Sequence, residues 1–164
     1  MPITQDQVLA ALATVIDPNT GRDFVASKSA KNVRVTDADA SFANIVTDQV
    51  LEHVGGDPKV AIDESLRVLV PGGVAVHTTC FINPVHDAPA DYWRFTPEAL
   101  RLLCRDYEVL GAGGWGNKWV WVVDALGLRF DPVPHSAWHP LHRVATHDDP
   151  TWPVVTWIVV RKAG

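Results

Sequence analysis

The chain has 164 residues, 47% of them hydrophobic, which is enough to bury one core and too little for two ordinary domains. Its formal net charge of -5 excludes a general electrostatic grip on nucleic acid, because that needs a basic face to neutralise phosphates. Two cysteines, Cys80 and Cys104, with no CxxC spacing imply reduced thiols, and no apolar run approaches the roughly 20 residues that span a bilayer. The amino terminus has no basic stretch ahead of an apolar run. The expectation is one soluble, cytoplasmic domain spanning residues 1–164, with no nucleic-acid or membrane partner.

The chain opens with a predicted helix. Thr4 can accept from the backbone of Gln7 while the Gln7 side chain reaches back, and Val8, Leu9, Leu12, Val15 and Ile16 then form one apolar stripe. Pro18 and Gly21 end it, and a short extended run from Lys31 to Val35 follows. "FANIVTD", from Phe42, is a buried-strand candidate. The next helix has Asp57 as its cap, Pro58 at its first position and "PGG", residues 71–73, at its end. "GVAVHTTCFI" is a second strand, so strand, helix and strand make a βαβ unit of a parallel sheet. "TPEALRLLCRDY" predicts a helix capped by Thr96, with Pro97 first and Glu98 in its opening turn. "YEVLGAGG" is a third strand, "NKWVWVVDALGL" a helix and "PVVTWIVVRK" the final strand. Residues 129–153, rich in proline and histidine, read as a long loop, the kind of segment that is usually functional.

Several of these pieces carry a resemblance. "SFANIVTDQVLEHVGGDPKVAIDESLRVLVPGG" resembles the central segment of class I S-adenosylmethionine-dependent methyltransferases, in which a strand ends in a "VLEH" turn and leads through an "E..RVLKPGG" helix to the next strand. The matching residues are Val50, Leu51, Glu52, His53, Glu64, Arg67, Val68, Leu69, Pro71, Gly72 and Gly73. "PVHDAPADYWRFTPEAL" resembles a segment that follows the fifth strand in one branch of that family and borders its substrate pocket. The resemblance covers about residues 37–164 and implies an α/β fold, a partial Rossmann-like methyltransferase sheet with flanking helices. It implies S-adenosylmethionine as cofactor and methyl transfer to a small molecule. The glycine-rich turn and the acidic ribose ligand of that family are not visible ahead of Asp37, and its usual "FD" is replaced by Phe42 followed by Ala43. Residues 1–35 are similar instead to the start of the small α+β domain of Mrp-type iron-sulfur carrier ATPases, and no GxxxxGK[ST] accompanies them. The chain therefore reads as a helix-and-strand segment appended to the later half of a methyltransferase fold. The strand at Phe42 would then lack its usual neighbour, leaving an edge for the appended piece or a second copy of the chain to cover, as in a homodimer.

By this resemblance Asp37 or Asp39 takes the adenine side of the cofactor, and Asp48 and Gln49, at the carboxyl end of a strand, complete the cofactor-binding set. His53 and His86 are the candidate catalytic bases, since an imidazole titrates near neutral pH. Glu52 and His53 have a second reading, as groups that cap the turn and bond to backbone. Asp91, Tyr92, Trp93 and Arg94, together with His86 and Asp87, are the candidate substrate-binding group, with the alternative that Arg94 pairs with Asp91 to fix a loop. "GAGGWG", residues 111–116, matches GxGxxG with Asp131 at the expected spacing, and reads first as a glycine turn between a strand and a helix. His135, His139, His142 and His147 lack a zinc pattern, Pro134 and Pro140 argue against a helix there, and no metal site is expected. Trp115, Trp119, Trp121, Trp138, Trp152 and Trp157 are expected in the core rather than as a nucleic-acid stacking platform. The competing function is a catalytically silent α/β module that completes its sheet with a partner.

Overall fold

The computed structural model describes residues 4–14, 34–36, 39–86, 90–128 and 131–164. Helix α1, Gln5–Leu12, carries the expected capping box: Thr4 Oγ1 accepts from the Gln7 amide and Gln7 Oε1 accepts from the Thr4 amide. Val15, Ile16, Pro18, Gly21 and Lys31 to Val33 lie outside the described residues. Strand β1, Arg34–Thr36, turns back antiparallel on β2, Asp39–Asp48. Helix α2, Lys59–Val68, leads into β3, Leu69–Cys80, which pairs parallel with β2 from Asn44↔Val74 to Asp48↔Thr78. After α3, Pro97–Leu103, come β4, Glu108–Trp115, then α4, Val120–Ala125, α5, Pro140–Thr146, and β5, Val155–Arg161. The last strand enters between its predecessors, giving the order β1-β2-β3-β5-β4 with β5 antiparallel to both neighbours. The fold is α/β, as expected.

One core joins the sheet to two helices. Ile62 of α2 and Leu100 of α3 are fully buried against Ala75, Ile158 and Val160, with Leu51, Phe95, Cys104 and Tyr107 closing the cluster. Full burial of a side chain such as Ile62 or Leu100 contributes about 1.5–3 kcal/mol relative to exposure. The Tyr107 hydroxyl donates to the Ile62 carbonyl at 3.1 Å, which satisfies the one polar group that this aromatic ring brings inside. The caps of α3 follow the sequence: Thr96 Oγ1 accepts from the Ala99 amide at 3.1 Å, and Pro97 opens the helix where its missing N–H costs nothing.

Several expectations are corrected. Asp57 does accept from Lys59 N at 2.9 Å, but α2 starts one residue later than expected, with helical Pro58 in the cap position. "PGG" does not end α2; it lies inside β3, which already begins at Leu69. There Gly72 takes φ +75, and a Cβ at Gly73 would stand 2.3 Å from Leu69 Cδ2 and 2.8 Å from the Val70 carbonyl oxygen, so only glycine fits. The buried-strand reading of "FANIVTD" fails on its outward positions, since Ala43, Asn44, Val46 and Asp48 are exposed. β1 pairs only with the start of β2, through Ser41, so among the described residues the outer edge of residues 42–48 has no strand beside it. Residues 129–153 hold α5, because Pro140 sits at the first helical position and His139 Nδ1 accepts from the Leu141 amide, which makes the proline a helix starter.

"GAGGWG" is neither a dinucleotide loop nor a turn between a strand and a helix. Gly111, Gly113 and Gly114 lie within β4, hydrogen-bonded along β5, and only Gly116 takes a positive φ. The glycines clear space: Cβ atoms at Gly111 and Gly113 would meet the Trp157 ring at 3.5 and 3.1 Å, and one at Gly114 would stand 2.6 Å from Pro153 Cβ. The tryptophans are not core residues either. Trp115, Trp119, Trp138 and Trp152 are exposed, and Trp121 and Trp157 are half-buried. Lys118 Nζ lies 5.7 Å from the Trp119 ring and 5.1 Å from Trp152, so its cation covers two aromatic faces that the sheet does not. No helix among the described residues is long and apolar enough to cross a membrane.

The close approach at Gly114 predicts that Gly114→Ala destabilises the fold by about 1–3 kcal/mol, as overpacking does. Gly111→Ala, which meets Trp157 only at ordinary contact distance, should stay within about 1 kcal/mol of the wild type. Urea denaturation midpoints for the two variants compare them directly.

Candidate functional site

Parallel pairing of β2 and β3 brings their carboxyl ends together, and the chain leaves both there. Asp48 closes β2, and Gln49 follows at φ +55, an unusual conformation for a residue with a side chain. Thr78 of β3 organises this corner. Its hydroxyl donates to Asp48 Oδ1 and accepts from Gln49 Nε2 at 3.3 Å, while its carbonyl accepts from the Gln49 amide at 3.1 Å. Asp48 remains exposed. Of the other candidate cofactor residues, Asp37 lies outside the described residues and Asp39 is the first residue of β2, its backbone paired opposite Thr36.

A short 3-10 turn, Leu51–His53, comes next, and Glu52 within it is fully buried. Glu52 Oε2 accepts from Thr79 Oγ1 at 2.8 Å, and the Glu52 carbonyl accepts from the amides of Tyr92 and Trp93 at 2.8 and 3.3 Å. Its other carboxylate oxygen, Oε1, has no hydrogen-bond partner. His53 turns its Nδ1 to the Ala90 carbonyl, which can only accept, so that nitrogen carries the proton. The Nε2 atom then faces His86 Nε2 at 3.1 Å, with the two rings edge to face at 89°.

The segment after β3 and the segment before α3 hold His86 between them. Its amide donates to Asp91 Oδ2 at 3.0 Å and its Nδ1 stands 3.1 Å from the same oxygen, 3.2 Å from Asn83 Nδ2 and 3.4 Å from the Pro84 carbonyl oxygen. Arg94 grips Asp91 with both terminal nitrogens and also donates to the carbonyls of Trp93, Asn83 and Pro84. The guanidinium holds the Asp91 carboxyl well below the usual carboxylate range. This is the loop-fixing arrangement of the Arg94–Asp91 pair. Trp93 Nε1 donates to the Val54 carbonyl at 2.8 Å, its ring stacks on Phe95, and Tyr92 is exposed with its ring beside Gly55. His53, His86, Asp91, Tyr92, Trp93 and Arg94 thus form one neighbourhood with Glu52, and Asp48 and Gln49 flank it through Thr78. Asp87 lies outside the described residues.

Three contributors were not picked out from the sequence. Thr78 and Thr79 orient Asp48, Gln49 and Glu52, and their signal was a polar pair inside the apolar run "GVAVHTTCFI". His77 precedes them, fully buried, with Nδ1 at 2.8 Å from Thr47 Oγ1 and Nε2 without a partner. Burial lowers its pKa from 6.5 to about 4. Burial, reinforced by Glu52, pushes the Cys80 thiol up to about 11, and burial pushes Cys104 up to about 12. Among the histidines of residues 135–147, His139 caps α5, His142 Nδ1 donates to the Pro134 carbonyl and the backbone carbonyl of His147 accepts from Asn117.

Comparison with known proteins gives two kinds of match. A family model described as iron-sulfur cluster assembly protein matches residues 5–76, extending past residues 1–35 through β2 and α2 into β3. Among solved structures, the chain is similar to one in the Haloferax volcanii complex of the Trm112 methyltransferase activator with a methyltransferase, at 13% identity and a TM-score of 0.47, covering 76% of this chain and 55% of that one. It is also similar to the [4+2]-cyclase SpnF, at 18% identity and a TM-score of 0.44, covering 75% of this chain and 50% of that one. The chain therefore spans about half the length of the solved structures it matches. No curated protein sequence matches it.

The depressed pKa of His77 gives stability a pH dependence with a definite sign. As pH falls, the unfolded chain takes up this proton near 6.5 while the folded chain resists until about 4. Relative to His77→Gln, wild-type stability should be complete above that window and fall by up to about 3 kcal/mol across it, read from urea denaturation at a series of pH values.

Proposed function

We propose that the chain is a methyltransferase-type protein that uses S-adenosylmethionine to methylate a small acceptor, where the carboxyl ends of β2 and β3 meet. The observation that carries this reading is the contact between His53 Nε2 and His86 Nε2, two rings from separate loops anchored on their far sides. Open α/β sheets bind ligands at this end of their strands. The donor set fits part of the cofactor. Asp48, exposed beside the strained Gln49, suits a hydroxyl or ammonium group, whereas Gly111, Gly113 and Gly114 are committed to β4 and supply no loop. When bound, S-adenosylmethionine supplies a methyl group on a sulfonium. The protein's own part is to hold the acceptor in line and to receive its proton at Nε2 of one histidine. Asp91, ionised beside Arg94, then stabilises the charged ring of His86. Tyr92 and Trp93 offer aromatic surface for the acceptor, and Asp91 and Arg94 keep the wall in shape.

Calorimetric titration with S-adenosylmethionine and S-adenosylhomocysteine tests this reading: saturable binding is expected, weakened about tenfold in Asp48→Ala by loss of a charge-assisted contact. His53→Ala and His86→Ala should each slow methyl transfer about 10²–10⁴-fold with smaller effects on thermal stability. A folded chain that binds neither compound contradicts it.

The outer edge of residues 42–48, unpaired among the described residues, favours a second reading, an association module that completes its sheet with another copy. Exposed Val46 lies on that stretch. Light scattering should then give a dimer that Val46→Lys disperses, and a monomer at high concentration removes this option. A cluster-ligating role draws no support from the cysteines, because both are buried and their thiols are held protonated at neutral pH.

A further inference from the structure

The neighbourhood of Glu52 holds a buried polar atom that no group among the described residues satisfies. Glu52 is fully buried, and Oε1 has no partner, although a buried carboxyl oxygen is normally hydrogen-bonded or bound to a cation. The two histidines add to the demand. The Ala90 carbonyl fixes the proton of His53 on Nδ1, and the Asp91 carboxylate draws the proton of His86 to its Nδ1. Both Nε2 atoms are then lone-pair acceptors, yet they face each other at 3.1 Å. A proton shared between them would relieve that contact and leave Glu52 Oε1 unpaired. A cation among the three groups relieves both.

The dimensions suit a metal ion. A carboxylate oxygen of Glu52 and ring nitrogens of His53 and His86 lie within 4.8 Å of one another. Two imidazole nitrogens bound to one zinc ion at about 2.0–2.1 Å stand roughly 3 Å apart, close to the separation found here. Each ligand has an outer partner of the kind that orients metal ligands: Thr79 on Glu52, the Ala90 carbonyl on His53, and Asp91 on His86. A second group, Cys80, His86 and Asp91, has similar spacing, but the Asp91 carboxylate is already taken by Arg94 and the His86 amide. We propose that Glu52, His53 and His86 form a binding site for a divalent transition metal of the zinc class, with three protein ligands and a fourth position open to an oxygen or nitrogen donor. Two histidines and one carboxylate are a donor set that such ions accept, and the open position is the mark of a site that binds a further ligand.

A metal would take the Nε2 lone pairs that methyl transfer needs for a proton, so the two readings are alternatives for the same histidine pair, and metal binding is measured without any activity. The purified chain, stripped with a chelator, is dialysed against Zn²⁺ or Co²⁺ and assayed for retained metal, visible absorption and thermal shift. About one ion per chain is expected, with the strong absorption of four-coordinate Co²⁺ and a higher Tm on adding Zn²⁺. Glu52→Gln, His53→Ala and His86→Ala should each weaken binding at least tenfold, whereas His139→Ala and His142→Ala should bind as the wild type does. Glu52→Gln keeps the side-chain shape, so it reports on the ligand even if truncation disturbs folding. A folded wild type that retains no ion overturns the proposal. So does equal loss of metal in His139→Ala and His86→Ala, which would move the ion to the histidines of residues 135–147.

Discussion

A buried carboxylate governs this part of the molecule. Glu52 sits on a short turn just after β2, and its side chain is taken by Thr79 of β3 while its backbone carbonyl takes the amides of Tyr92 and Trp93. One residue thereby joins the parallel pair to the segment leading into α3. Burying a carboxyl group is costly unless it is hydrogen-bonded, and these bonds offset part of that cost. His53 is placed by the same turn, and the loop that carries Asp91 to Arg94 is placed by the same carbonyl. One carboxyl oxygen, Oε1, is left over from these bonds.

The sheet supplies the rigid frame for this arrangement. β3 is central: its carboxyl half, from His77 to Cys80, is buried, with β2 on one side and β5 on the other. Insertion of β5 between β3 and β4 requires close approach on the β4 side, where Gly111 and Gly113 accommodate Trp157; Gly73 serves β3 itself, beside Leu69 and nearby backbone. The Thr156 hydroxyl donates to the buried Phe95 carbonyl at 2.7 Å, so the same antiparallel strand also anchors the segment that ends in Arg94. Frame and site are therefore coupled through hydrogen bonds as well as apolar packing.

Local signals were read correctly where the residue and its partner are close in sequence. Thr4 with Gln7 and Thr96 with Ala99 are separated by a single helical turn, so cap chemistry alone determines them. Most of the misreadings share a cause, a partner far along the chain; Pro140 is the exception, since its helix start is set by the neighbouring His139. Glycines 111–116 resemble a phosphate loop until Trp157 and Pro153 fill the space beside them. Pro140 resembles a helix breaker until its position one residue after a capping His139 is known. "PGG" resembles a helix stop until Gly72 and Gly73 exchange backbone bonds with Lys162. The tryptophans look like core until their neighbours prove too few to cover them.

By itself the sequence determined the α/β class, the order of strands and helices from residue 42 to residue 128 with the final strand after them, and the residue types from which a site could be assembled. Periodicity, caps and turn chemistry act over a few residues, and those distances are visible in a chain. Only the tertiary structure decided that His53 and His86 meet at Nε2, that Arg94 is occupied by Asp91, and that Glu52 is buried with one oxygen unpaired. Those facts depend on the parallel register of β2 against β3 and on backbone carbonyls contributed by Ala90 and Glu52. A carbonyl is common to every residue and leaves no mark in a sequence; its chemistry is set by where the fold points it.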